Sequence, residues 1–160
     1  MSVQTVKEYL KQWNFDTKVT EFDESSATVE LAAHAVGVIP ARITKTLFFK
    51  INDSCVLIAA AGDAKIDNKK YKEYFHTKAK MLTPEEVVEF TGHAIGGVCP
   101  FAIKNPDVKV YLDVSLKRFD VVYPAAGSSS SAVALTLPQL EQASGYEAWI
   151  DVCKGWQEEE

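Results

Sequence analysis

The sequence is short of the features that assign a function quickly. No stretch of its 160 residues approaches the ~18 consecutive apolar residues that a membrane span needs. The N-terminal "MSVQTVKEYLKQW" has neither a basic start nor an apolar run, which tells against a secretory signal. Cysteine is scarce. Cys55, Cys99 and Cys153 are widely spaced and odd in number, which disfavours a disulfide framework and suits a reducing, cytoplasmic setting. No CxxC occurs, and His34, His76 and His93 are scattered, so neither a metal site nor a cofactor is expected. No serine stands in a G-x-S-x-G elbow, which removes the local signature of a serine hydrolase. Positive charge is not in excess either: the net charge is −5, whereas a protein that grips long stretches of nucleic acid is usually basic. DNA is therefore not an expected partner.

One local exception stands out. The segment "KIDNKKYKEYFHTKAK", residues 65–80, carries six lysines against Asp67 and Glu73. It reads either as a solvated helix face or as a small patch that meets a few phosphates. Acid collects at Glu21, Asp23, Glu24 and Glu30, and in a tail over about residues 155–160 that ends Glu158-Glu159-Glu160.

Periodicity and capping residues place the elements. Val3, Val6, Leu10 and Trp13 stand at helical spacing. "TKVTEF" reads as a short strand. "SSATVELAAHAVGV" reads as a helix capped by Ser26 or Thr28 and ended by Gly37 and Pro40. "RITKTLFFKI" and "CVLIAAAG" flank "NDS" as a hairpin. Asp67 is placed to cap a helix through "NKKYKEYF". "TPEEVVEFTG" starts on Thr83 with Pro84 in the first turn and stops at Gly92. "DVKVYLDV", "DVVYPAAG", "SAVALT" and "EAWIDV" read as strands, the last closing the chain, with a helix "TLPQLEQASG" before it. Helices and strands do not alternate regularly, so a doubly wound parallel sheet is disfavoured. A single domain, residues 1–160, of mixed α+β class is expected.

Two stretches carry chemistry. In "ITKTLFFK" alternation puts Ile43, Lys45, Leu47 and Phe49 on one face, so a lysine sits among apolar neighbours. Either it snorkels or pairs with a carboxylate, or the face opens into a cleft where the ammonium meets an anion. In "TGHAIGGVCPFAI", residues 91–103, Gly96 and Gly97 precede Cys99 and Pro100. The glycines let a ligand approach the backbone closely, and their N–H groups suit an oxyanion. Pro100 stiffens the exit. The same residues also fit a plain turn, or a Cys99 nucleophile with His93 as its base.

Three blocks in order, "ITKTLFFKI", "AAAGDAKIDNKK" and "HAIGGVCPFA", together with a following "VYPAAGSSSSAVALT", resemble the YbaK/EbsC family of aminoacyl-tRNA deacylases and prolyl-tRNA synthetase editing domains, from roughly residue 20 to 150. The resemblance implies a mixed α/β fold around a twisted, barrel-like sheet. It implies hydrolysis of the ester at the 3′ acceptor end of a mischarged tRNA, with tRNA(Pro) the implied tRNA. The enzyme would be a carboxylic ester hydrolase without a cofactor, with an aminoacyl-tRNA synthetase as a further partner. Lys45 would hold the terminal nucleotide, and Gly96 and Gly97 would face the oxyanion. Phe22, Thr46, Asp63, Cys99, Pro100, Gly127, Ser128 and Ser129 would surround the substrate. A hydroxyl of the terminal ribose would assist the attacking water. The branch acting on cysteinyl-tRNA has tyrosine where this chain has Phe22 and aspartate where it has Ala132, which tells against that branch. Alanyl-, seryl- and threonyl-tRNA stay open, as does a non-catalytic module that binds a tRNA end or a nucleotide.

Overall fold

The computed structural model describes residues 3–156 except 24, 26 and 27. The alternative cap Ser26 and the acidic Glu24, Glu158, Glu159 and Glu160 lie outside the described residues. Helix α1 (Val3–Leu10) buries Val6 and Leu10 completely, while Trp13 falls in the 3₁₀ turn that follows. Strand β1 (Val19–Glu21) precedes helix α2 (Val29–Val36). Thr28 caps α2, its hydroxyl accepting from the Leu31 N–H at 3.1 Å, and Gly37 ends it in the left-handed conformation.

The hairpin forms as expected from β2 (Ile43–Ile51) and β3 (Ser54–Ala61), in register from Thr44↔Ala61 to Ile51↔Ser54. Every residue of β3 from Cys55 to Ala61 is buried, as a central strand covered on both faces must be. A two-residue strand β4 (Lys65–Ile66) leads into α3 (Asn68–Phe75), whose cap Asp67 accepts from the N–H groups of Lys69 and Lys70. Helix α4 (Pro84–Thr91) begins in a full capping box between Thr83 and Glu86.

Then come β5 (Lys109–Asp113), β6 (Val121–Pro124), β7 (Ser131–Val133), β8 (Leu135–Thr136), α5 (Leu137–Ser144), β9 (Ala148–Ile150) and β10 (Cys153–Lys154). The main sheet has the order β8-β6-β2-β3-β5-β9 and curls into a half-barrel. It is mixed: β2 is antiparallel to β3 and parallel to β6, and β5 is parallel to both neighbours. The architecture is the expected mixed α+β class. Among the described residues no helix is long and apolar enough to cross a membrane.

Two expectations need correction. "SAVALT" is two strands, because the chain changes partner: β7 pairs with β1 and β8 with β6, and between them the Ala134 N–H donates to the Lys18 carbonyl. "EAWIDV" is not the last strand. It stops at Ile150, where Asp113 accepts from the Val152 N–H at 3.0 Å and turns the chain toward β10. β10 pairs with β4, and these two-residue strands are too short to show a period.

Loss of the α4 capping box should be measurable. Thr83→Ala removes the acceptor for the Glu86 N–H and should cost about 1 kcal/mol. In a chain of this size that lowers Tm by ~2–4 °C. A thermal melt followed by circular dichroism checks it, and an unchanged Tm would show that the box contributes nothing.

Candidate functional site

The site arises where two strands part. β2 and β6 pair over only Ile43↔Tyr123 and Thr44↔Pro124, after which β6 ends at Pro124. Beyond that point, among the described residues, β2 has no strand on this edge until the isolated bridge Phe49↔Met81. The gap holds a cavity of about 270 Å³. Lys45 and Thr46 come to it from β2, Val29 and Ala32 from α2, Gly96 and Val98 from the glycine loop, and Ala125 and Ala132 from the chain around β6 and β7. The lining is largely apolar, which suits a small aliphatic group.

Lys45 does not lie on the more buried face of β2. Thr44, Thr46 and Phe48 are buried, whereas Lys45 and Leu47 on the opposite face are half-buried. The physical reason is coverage of that second face at its ends only. Ile43 packs with Ala32 and Ala33 of α2, and Phe49 packs on Tyr71 of α3 with ring centroids 5.0 Å apart. The middle is left to the cavity. The Lys45 ammonium makes one weak contact, 3.4 Å to the Gly62 carbonyl, and has no carboxylate partner among the described residues. Burial lowers its pKa, and the negative charge of Asp63 is among the groups that oppose this.

Asp63 itself is taken. Arg118 grips its carboxylate with two N–H···O bonds, 2.6 and 3.0 Å long, the fork geometry that only a guanidinium offers. Arg118 also donates to the Ser115 and Trp156 carbonyls and lies over the Phe119 and Trp156 rings. Asp63 is thus held beside the loop that presents Gly62, and it does not line the cavity.

The two glycines have different reasons to be glycine. After Gly92 ends α4, Ile95–Gly97 form one 3₁₀ turn in which the Gly97 N–H donates to the Ala94 carbonyl at 2.9 Å. A Cβ on Gly97 would lie 2.7 Å from the Ser128 backbone and 2.8 Å from that of Gly127. Its role is close backbone approach. Gly96 is exposed, faces the cavity, and would meet nothing closer than Ser129 Cβ at 3.4 Å. Its N–H and that of Ile95 are the ones that the first turn of a helix leaves without an intrahelical acceptor. The loop behind is braced by Ser128, whose hydroxyl donates to Ser131 Oγ at 2.9 Å and accepts from the Ser130 N–H. Gly127 takes φ 96° there.

The structure therefore brings Lys45, Thr46 and Gly96 to one cavity, with Gly97, Gly127, Ser128 and Ser129 forming the layer behind. Phe22 lies in a neighbouring hollow that shares Tyr123 and Ala132 as a wall, and Pro100 faces a different hollow beside Tyr9. Val98, not Cys99, lines the cavity. The α2 residues and Arg118 were missed from sequence. Nothing local marks them, because their partners stand far along the chain.

Cys99 and His93 do meet, at 3.6 Å, but not as a catalytic pair. His93 Nε2 lies 2.8 Å from the Phe101 carbonyl. A carbonyl only accepts, so Nε2 carries the proton and cannot take one from the thiol. Burial pushes the Cys99 thiol up to about 12 and lowers the His93 pKa. Both side chains are fully buried. The nucleophile reading is excluded by this geometry.

A small, mostly apolar cavity in a curled α+β half-barrel, with an ammonium at its wall that has no carboxylate partner among the described residues, is suited to a small ligand. The comparisons narrow it. The profile of the aminoacyl-tRNA editing domain matches residues 23–143. The chain is 55% identical over 158 residues to the uncharacterized protein YwhH of Bacillus subtilis (strain 168), covering 98% of this chain and 100% of that one. It is 35% identical over 91 residues to the proline–tRNA ligase of Thermosipho melanesiensis, covering 56% of this chain and 16% of the ligase. A crystal structure of a candidate trans-editing enzyme for prolyl-tRNA synthetase superposes with a TM-score of 0.86 at 31% identity, covering 96% of this chain and 97% of that one. The chain belongs to the aminoacyl-tRNA editing domain family.

Two measurements test the site as built. Cys55, Cys99 and Cys153 are all buried thiols, so none should react with iodoacetamide at pH 8 in the folded protein and all should react in urea. Rapid labelling of Cys99 in the native state would contradict its burial. Gly97→Ala should lower stability by about 1–3 kcal/mol through overpacking, read as a reduced urea midpoint, whereas Gly96→Ala should stay within about 0.5 kcal/mol.

Proposed function

We propose that the protein is an aminoacyl-tRNA hydrolase that clears mischarged tRNA, with tRNA(Pro) as the tRNA. One observation carries this reading: a half-buried ammonium, without a carboxylate partner among the described residues, and a glycine turn open into the same apolar cavity. The kinship with proline–tRNA ligases and with a candidate trans-editing enzyme supports the choice of tRNA. It also supports action in trans beside a synthetase, in the cytoplasm where charged tRNA is used.

In this reading Lys45 receives a phosphate of the 3′-terminal nucleotide. The phosphate supplies the counter-charge that Lys45 lacks in the protein. The amino acid side chain enters the apolar end, toward Val98, Ala125 and Ala132. Water attacks the ester carbonyl carbon, assisted by a hydroxyl of the terminal ribose, and a tetrahedral oxyanion forms. The Gly96 N–H is the donor for it, since the Gly97 N–H is already engaged and Gly97 serves by holding the turn against Ser128. The intermediate collapses with cleavage of the bond to the ribose oxygen, which takes the proton. Free amino acid and uncharged tRNA leave. Thr46 touches the substrate. Gly127, Ser128 and Ser129 support the glycine turn from behind, Phe22 lines the adjoining hollow, and Asp63, Cys99 and Pro100 stand outside the cavity.

The test is deacylation of tRNA(Pro) carrying alanine or cysteine, comparing the native protein with Lys45→Ala. Loss of one charged hydrogen bond should cut kcat/KM by at least about tenfold, with far-UV circular dichroism and Tm preserved. Full activity in that variant would remove Lys45 from the mechanism. Affinity for tRNA with no release across a panel of charged tRNAs would make the protein a binding module instead.

A further inference from the structure

The gap between β2 and β6 also leaves backbone unsatisfied, and its position is informative. The hairpin closes on Ile51↔Ser54 across a two-residue turn, so Ile51, Phe49, Leu47 and Lys45 direct their N–H and C=O groups toward β3. The even-numbered residues direct theirs to the opposite edge. Two contacts fix this parity independently. The Lys50 N–H donates away from β3, to the Lys80 carbonyl at 2.7 Å, and Thr44 stands in the parallel ladder with β6. Between those two anchored ends lies Thr46. Its backbone N–H and C=O point into the gap, it is only 9% exposed, and it lines the cavity. Among the described residues neither group has a hydrogen-bond partner. Buried backbone polar groups are paired almost without exception, so an orphan carbonyl at a cavity wall calls for a donor brought by a ligand.

We infer that the Thr46 carbonyl is the receptor for the substrate's α-ammonium group. This rests on the reading of the cavity as an aminoacyl-ester site and adds to it the part of the substrate that is recognised. An aminoacyl group laid along the open edge donates one N–H of its ammonium to this carbonyl, as an added strand would. Its side chain then points toward Val98 and Ala125, and its ester lies between Lys45 and Gly96. An uncharged acceptor is required here. A carboxylate in the same place would capture the neighbouring Lys45 ammonium, which the structure keeps unpaired by tying Asp63 to Arg118. Selection for a primary α-amine follows. N-acylated aminoacyl esters have no ammonium to give and carry bulk into the strand edge, so the site rejects them.

Stable amides separate recognition from ester reactivity. The probes are 3′-amino-3′-deoxyadenosine 5′-phosphate carrying alanine in amide linkage, its lactyl counterpart with a hydroxyl for the ammonium, and its N-acetylalanyl counterpart. Titration calorimetry at pH 6.5 measures each Kd. The alanyl amide should bind at least tenfold more tightly than either of the others, and its advantage over the lactyl amide should shrink as the amine deprotonates above neutral pH. Equal affinity of alanyl and lactyl amides would overturn the inference while leaving the deacylase reading intact if charged tRNA is still hydrolysed. Failure of all three to bind, with no charged tRNA hydrolysed, would overturn the reading of the cavity and this inference with it.

Discussion

A strand that is paired along one edge and almost unpaired along the other organises this protein. β2 makes an eight-pair ladder with β3 and a two-pair ladder with β6. Sheet edges inside a domain are usually paired or covered, because unpaired N–H and C=O groups are costly to bury. Here the edge is covered only in part. α2 roofs one end, the bridge to Met81 closes the other, and the glycine turn stands across the middle. Every notable feature of the site follows from that incomplete cover: the cavity, the half-buried Lys45, the orphan backbone of Thr46, and the need for Gly97 to press against Ser128.

The electrostatics obey the same geometry. An isolated ammonium would not survive in a closed core, but at a cavity mouth it stays partly hydrated. The chain then has to keep its own acids away. The acid beside Gly62 is Asp63, and Arg118 holds it by a bidentate bridge reinforced by two aromatic rings. The result is a localised positive site in a protein of net charge −5. Overall acidity and an anion-binding function are compatible, because only the charge at the cavity has to match the ligand.

Much of the fold was legible in the sequence where the signal was local. The caps Thr28, Asp67 and Thr83 bond to N–H groups two or three residues on, so residue type and spacing suffice to place α2 to α4. The β2–β3 hairpin was equally plain, since its turn and both apolar runs are contiguous. The two-residue strands β4 and β10 were not, and neither was the break at Ala134. Such segments are strands only because a distant partner lies alongside. For Lys45 the alternation placed it among apolar neighbours but left open whether it meets a carboxylate or an open cleft. A period of two separates the faces of a strand but does not say which face a helix will cover.

The chemistry divides in the same way. Lys45 and the double-glycine turn stand out from the order of residues alone, because a lysine among apolar neighbours and adjacent glycines before a proline are anomalies visible within a few positions. What each of them does is set by the folded chain. It set Gly96 at the cavity and Gly97 in the packing layer, it gave the Nε2 proton of His93 to Phe101 and so left Cys99 inert, and it tied Asp63 to Arg118 across 55 residues of chain. Local order follows from hydrogen bonds that a residue makes with its near neighbours. The role of a side chain in a site depends on contacts that exist only after the sheet has curled and brought remote segments together.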